Sequence, residues 1–501
     1  MSAGSVPEIE RVSGELSEPG RRRAGEGPTA YTNPQWSGAL TLAEPLTELM
    51  ERFEPLCANA VDPLEVAAGL EMDGLSDQST RVKYGFPDVF ALAEELFRQT
   101  KRQPAEPAPA PNPWHTTIGK HVLHGALFAL PALCYPVASA LMVDRGALLL
   151  LVTSMLVSWP ASQGLSYLGH SRRSRRDDDG SRWLLRAGLG VFGLVLVAVV
   201  LLTATLSGES TPVQWFAVGQ GAYLLAATVL LVAGAERWLC VALAPGVLVS
   251  GAYLLLGRPE YLHLAAWLAL GATLLLAIGF SVWKTSWPRP KPHRKLVRAG
   301  ELTAAAPYSL FGLLVIGLLV FPLIAPRLFP GIRGADATTL VGTLPLSLSM
   351  GAAELQLYRY RGRIFTLLQR TRRLEAFSGG SRLVLARALG EYLAMATVLM
   401  AAVIGVAALI GSGPQWSDLL DFAGYVVLGG ALFLALLTQT CSGTTGVLIW
   451  CATALGAEFL LALADPQAIA MRIQLLAALG LLAALLAHSG FVLGKASKHS
   501  Q

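Results

Sequence analysis

Charged side chains are scarce in this sequence. Asp, Glu, Lys and Arg make up 15% of its 501 residues, while hydrophobic residues make up 53% and the mean hydropathy is +0.50. Soluble domains carry about 25% charged residues, so a soluble enzyme, a disordered scaffold and a nucleic-acid-binding domain are excluded. Cysteine is scarce too. Cys57, Cys134, Cys240, Cys441 and Cys451 form an odd set without metal-ligand spacing, so neither a disulfide framework nor a zinc site is readable. The N-terminus lacks the short apolar core of a cleavable signal peptide. Membrane insertion is therefore expected to be directed by the spans themselves, and no cofactor, metal or nucleic-acid partner is expected.

Long apolar runs are what the chain has instead. From about residue 122 they recur at roughly 20 residues each, the length that crosses a hydrocarbon core of about 30 Å. About twelve spans are expected, near 122–142, 146–168, 183–206, 213–234, 238–256, 262–283, 306–325, 337–358, 385–411, 419–439, 443–464 and 468–494. The net charge of +5 sits in short loops, at Arg172, Arg173, Arg175 and Arg176, then Lys284 to Arg298, then Arg359 to Arg373. The alternate loops, such as 207–212 and 411–417, are nearly uncharged. The positive-inside rule then puts both termini in the cytoplasm of a multi-pass protein of the cell membrane.

Before the spans, residues 1–40 are rich in Gly, Ser, Pro, Glu and Arg and read as a disordered tail. Residues 41–102 read as a small cytosolic helical module. Leu46, Leu49, Met50, Phe53 and Leu56 recur at helical spacing. Asp62-Pro63-Leu64-Glu65 is a helix start, Ser76 is placed to cap a helix that Gly85 stops, and Phe86-Pro87-Asp88 opens a last helix carrying Val89, Leu92, Ala93 and Phe97 on one face. The module shows no nucleophile–base pair or phosphate loop and reads as a docking appendage for a cytosolic partner. A Pro/Ala linker over 103–120 joins it to the membrane.

The basic loop at 284–305 divides the spans into two six-helix bundles, 121–283 and 306–494, with a short tail at 495–501. The halves echo each other. Pro131 and Pro136 in the first span answer Pro322 and Pro326 in the seventh, and Pro160 answers Pro345, each followed by small and polar residues. Six crossings return the chain to its starting side, so such halves share one orientation about an axis along the membrane normal. Their central gap, surrounded by membrane lipids, is where a carried substrate is expected.

Ionisable groups at membrane depth are costly, so each is a site candidate. The candidates for substrate or coupling ion are Gln163, Gln220, Glu354, Glu391, Glu458 and Arg472, with no catalytic residue and no metal ligand among them. Arg387 lies four residues from Glu391 and is expected to pair with it. Glu458 and Arg472 are expected to meet across the last hairpin. Arg186 reads as an interfacial arginine, and His488 as a cavity-lining or interhelical group. Over 359–377, Ile364, Leu367, Leu368, Leu374 and Phe377 form an apolar stripe among arginines, which fits either a helix lying on the inner leaflet or an ordinary basic loop.

At these residues the chain resembles the multidrug/oligosaccharidyl-lipid/polysaccharide (MOP) flippase superfamily. The likeness rests on Pro160-Ala-Ser-Gln-Gly-Leu-Ser-Tyr-Leu-Gly with its arginine loop, on Trp183-Leu-Leu-Arg-Ala-Gly-Leu, and on Leu344-Pro-Leu-Ser-Leu-Ser-Met-Gly-Ala-Ala-Glu-Leu-Gln-Leu followed by Tyr360-Arg-Gly-Arg. Ala306-Pro-Tyr-Ser-Leu-Phe-Gly-Leu-Leu is similar to the seventh span of the branch that includes the Pel-type exopolysaccharide transporter. The resemblance implies a carrier, not an enzyme, that flips a lipid-linked oligosaccharide or exports a polysaccharide. A major-facilitator-like exporter is the alternative, although Gly169-His-Ser-Arg-Arg-Ser-Arg-Arg-Asp-Asp-Asp-Gly departs from that family's Gly-x-x-x-Asp-Arg-x-Gly-Arg loop. A polytopic glycosyltransferase or acyltransferase is disfavoured by the short first outer loop, Val143-Asp144-Arg145.

Overall fold

The computed structural model describes residues 44–100, 112–114, 117–142, 145–286, 297–333, 343–371, 373–409, 418–441 and 443–495. The tail expected over 1–40, most of the linker, the centre of the basic loop and the last six residues lie outside them. The chain divides into two compact units, one ending at Ala110 and one beginning at Pro111.

The first unit holds four helices, α1 Glu44–Asn59, α2 Pro63–Met72, α3 Asp77–Tyr84 and α4 Val89–Gln99. Its helix ends follow the local sequence. Asp62 caps α2 by accepting from the Leu64 and Glu65 amides, and Glu65 reaches back to the Val61 amide at 2.9 Å. Ser76 caps α3, Gly85 ends it in the left-handed region at φ 77°, and Asp88 caps α4. Leu49, Cys57, Val66, Leu70, Val89, Leu92 and Leu96 form the core. Burial there pushes the Cys57 thiol up from its usual range.

The second unit is all helical. It runs α5 Ile118–Ala129, a 3-10 segment Leu130–Met142, α6 Arg145–Ser174, α7 Asp178–Ser207, α8 Thr211–Val232, α9 Glu236–Leu255 and α10 Glu260–Ser286. It continues with α11 Ala299–Leu328, α12 Thr343–Arg370, α13 Leu374–Leu409, α14 Asp418–Gln439, α15 Thr444–Ala464 and α16 Ala470–Val492. Among the described residues, ten of these helices are long and apolar enough to cross a membrane. The protein is an all-α, multi-pass membrane protein. The two expected spans outside that set have local causes. Pro131 interrupts the first, which leaves α geometry at Leu130. The other, α12, carries Ser349, Glu354, Gln356 and a run of arginines.

Chain order gives two sets of helices, or lobes, α5 to α10 and α11 to α16, packed together as one compact unit. Within the first, α6 packs on α7 and α8, α7 on α8 and α10, α8 on α9 and α10, and the 3-10 segment on α9 and α10. Within the second, α12 packs on α13 and α14, α13 on α14 and α16, α14 on α15 and α16, and α11 on α15 and α16. Each packing of the second lobe is thus the counterpart of one in the first. Between the lobes the extensive packings are α6 on α11 and α5 on α12. The repeat exchanges these two seams.

Three features differ from the sequence reading. Residues 359–370 are no separate surface helix. They continue α12, and Tyr360, Ile364 and Phe377 are buried in the core of the second lobe. The basic connection is shorter than 284–305, because α10 runs to Ser286 and α11 starts at Ala299. The prolines of the seventh span do not break it. Pro322 offers no N–H to the Leu318 carbonyl four residues back, and buried Gln474 of α16 donates to that oxygen instead, at 3.0 Å.

Candidate functional site

The α6–α11 seam is the longer of the two, running from Arg172 and Glu301 to Val152 and Val320. At the arginine-rich end, Arg172 donates from two nitrogens to Glu301, at 2.8 and 3.2 Å, with both side chains largely buried. One turn deeper the Tyr167 and Tyr308 rings stack at 4.3 Å. Next, Gly312 lies against Pro160 and Gln163, and Gly164 against Ser309. Such small residues let helix backbones approach. The far half is apolar, with Val152, Met155 and Leu156 packed on Ile316 and Val320.

The α5–α12 seam is short and carries different chemistry. Gly125 and Gly351 meet backbone to backbone. A Cβ on Gly351 would stand 2.2 Å from the His121 carbonyl oxygen, and one on Gly125 2.9 Å from that of Leu348. Towards the arginine-rich end, the His121 ring lies against Tyr358, at 5.3 Å, and Arg361 stacks over Trp114, at 4.7 Å. Beside the glycines, His124 Nδ1 lies 2.6 Å from Glu354 Oε2, and His121 Nδ1 3.3 Å from the same oxygen. Glu236, at the start of α9, approaches the other ring nitrogen of His124 at 2.9 Å.

The seams also correspond residue by residue. Gly125 with Gly312, and His121 with Tyr308, share a spacing of 187 residues. Pro160 with Gly351, Gln163 with Glu354, and Tyr167 with Tyr358 share a spacing of 191. The contact of Gly125 on Gly351 repeats that of Gly312 on Pro160, and His121 on Tyr358 repeats Tyr308 on Tyr167. The register pairs Pro160 with Gly351, six residues beyond the Pro345 that its sequence context suggests. No family model matches this chain, and no curated protein matches it either.

The sequence candidates scatter over the lobes. Glu354 stands at the histidine cluster, and Gln163 occupies the equivalent place on the other seam. Gln220 is half-buried on α8, with Oε1 unpartnered. Glu391 pairs with Arg387 at 2.9 Å, as expected, and also with Arg363 at 2.8 Å. Two cations on one carboxylate make it a clamp between α12 and α13. Glu458 and Arg472 do not pair. Glu458 is 1% exposed on the inward stripe of α15, with Oε2 unpartnered, while Arg472 points outward and is exposed. The hairpin brings the two helices together but buries one side chain and exposes the other. Arg186 donates to Ser286 Oγ at 3.1 Å, and His488 wedges against Gly446.

Sequence reasoning missed His121, His124, Glu236 and the Arg172–Glu301 pair as site residues. His121 and His124 lie at the ragged edge of the first apolar run, where a histidine reads as interfacial. Their carboxylate partners are more than a hundred residues away in the chain, and no local spacing announces them.

Proposed function

We propose that this protein is an alternating-access carrier, of the kind that flips a lipid-linked oligosaccharide or exports a polysaccharide across the cell membrane. One observation carries the reading: two lobes of matching helix packing that meet along two seams exchanged by the repeat. Lobes so related can rock against each other along the two seams, and carriers with parallel repeats expose a central site to each face of the membrane by such rocking. α6 and α12 end in arginine-rich turns and α10 ends just after Lys284, and the positive-inside rule assigns these ends, with both termini, to the cytoplasm. Arg363 and Arg387 at that end offer planar donors suited to a phosphate or pyrophosphate headgroup. In the same reading the N-terminal module engages a cytosolic partner. In this reading the protein moves its substrate across the bilayer without making or breaking bonds in it.

The test is headgroup translocation in proteoliposomes holding a fluorescent lipid-linked oligosaccharide. With the carrier present, an impermeant reductant is expected to reach dye that began in the inner leaflet. Quenching that stops at the outer-leaflet share, for glycans of several compositions, overturns the reading.

A further inference from the structure

His124 stands between two carboxylates from different helices, and its side chain is 14% exposed. Nδ1 bonds Glu354 Oε2 at 2.6 Å, and Nε2 lies in ion-pair range of Glu236 Oε1, at 2.9 Å but outside hydrogen-bond alignment. A carboxylate oxygen only accepts, and a neutral imidazole has a single N–H. Both contacts can close only when the trio holds one proton more than a neutral ring and two carboxylates supply. We propose that His124, Glu236 and Glu354 form a proton-binding site that ties protonation to the closure of the α5–α12 seam.

The location gives the proton its effect. His124 and Glu236 belong to the first lobe, and Glu354 belongs to the second. With the proton bound, Nδ1–H bonds Glu354, the charged ring attracts Glu236, and the seam is held. With the proton gone, a nitrogen lone pair faces a carboxylate oxygen at hydrogen-bond distance, and two negative charges share one mostly buried ring. In surroundings of low dielectric that repulsion is strong, and parting the lobes relieves it by carrying Glu354 away.

No fixed cation takes the proton's place. From α12 the groups facing the cluster are Glu354 and Tyr358, from α9 Glu236, and from α5 itself His121, 3.3 Å from the shared Glu354 oxygen. The 3-10 segment and α8, whose Ala227 and Leu230 pack with Leu127, carry no charged residue. Lys120 and Arg237 are exposed, and Arg361 is engaged on Trp114. Among the described residues, neither Glu236 nor Glu354 has a lysine or arginine in ion-pair range.

The inference rests on the reading that the lobes move, and the experiment separates the two. In the full-length chain, with its own cysteines replaced, Lys120→Cys and Arg359→Cys place spin labels on exposed positions of α5 and α12. Distances are measured in lipid nanodiscs from about pH 5 to about pH 9. One proton per opening predicts that the ratio of parted to closed seams rises by up to about tenfold per pH unit. Glu354→Gln and, separately, Glu236→Gln are expected to flatten that slope. Distances that respond to pH as steeply in both variants as in the parent overturn the proton site while leaving moving lobes in place. Distances fixed across the whole pH range, in parent and variants alike, overturn both.

Discussion

The two lobes share one packing plan and solve its weak points differently. In the first, the opening span cannot stay α-helical past Ala129, and thirteen residues run on as a 3-10 segment, far longer than such helices usually persist. In the second, the corresponding span keeps its helix through three prolines, and Gln474 supplies the donor that one of them removed. The seams diverge as well. One is fastened by a permanent ion pair, Arg172 on Glu301, and the other by a histidine between carboxylates. Gln163 occupies on the first seam the place that Glu354 holds on the second. A common architecture thus carries one firm edge and one titratable edge.

The largest effect is expected at the firm edge. Arg172→Ala leaves the largely buried Glu301 carboxylate unpaired, a loss of about 3–5 kcal/mol, read by chemical denaturation in detergent. A loss under about 1 kcal/mol would show that this edge is solvated and the contrast between the seams false. Gly351→Ala comes next. Its Cβ would stand 2.2 Å from a backbone oxygen of α5, at about 1–3 kcal/mol, whereas Gly312→Ala on the other seam meets first the flexible Gln163, with the Pro160 Cα farther off at 3.2 Å, and should cost less in the same assay. Equal costs would erase the distinction between a backbone contact and a side-chain contact.

Gln474→Leu leaves the Leu318 carbonyl without a donor, at about 1–2 kcal/mol. Hydrogen exchange of the amides just beyond Pro322 should rise towards the rates of the 3-10 segment in the first lobe. Unchanged exchange would mean that α11 needs no repair. The smallest change in stability is expected from Glu391→Gln, under about 1 kcal/mol, because its arginine partners are partly solvated. In the translocation assay that variant, which releases the proposed headgroup donors Arg363 and Arg387, and Glu458→Gln should both insert normally and carry less. Parental transport by Glu458→Gln removes that carboxyl from the mechanism.

Local signals in the sequence were strong where local physics decides. The caps at Asp62, Ser76 and Asp88 stand where side-chain oxygens and turn residues pointed, and the apolar runs marked the spans. The repeat was visible as a rhythm of prolines and arginine loops, but its register was not. Prolines mark where a helix lacks a donor, not how deep it sits against a neighbour, so Pro160 finds Gly351 rather than Pro345. Of the candidate site, single carboxylates and amides could be picked out because each is expensive in hydrocarbon. What surrounds them could not. Glu391 acquired a second arginine from α12, Glu458 lost the partner the hairpin suggested, and the histidines gained theirs through tertiary packing alone.

The meeting of Gly125 and Gly351 has a mechanical corollary. Neither partner has rotamers to freeze on contact or to release on separation, and the helical amides on both sides are already hydrogen-bonded. Such a junction behaves as a dry bearing: it can be made and unmade many times with no interlocking teeth to disengage. A lipid methylene can fill the space whenever the surfaces draw apart. In the proposed carrier cycle, resistance to movement then resides in the polar fastening alongside, and a graft of that fastening alone would re-time the cycle without reshaping its bearing.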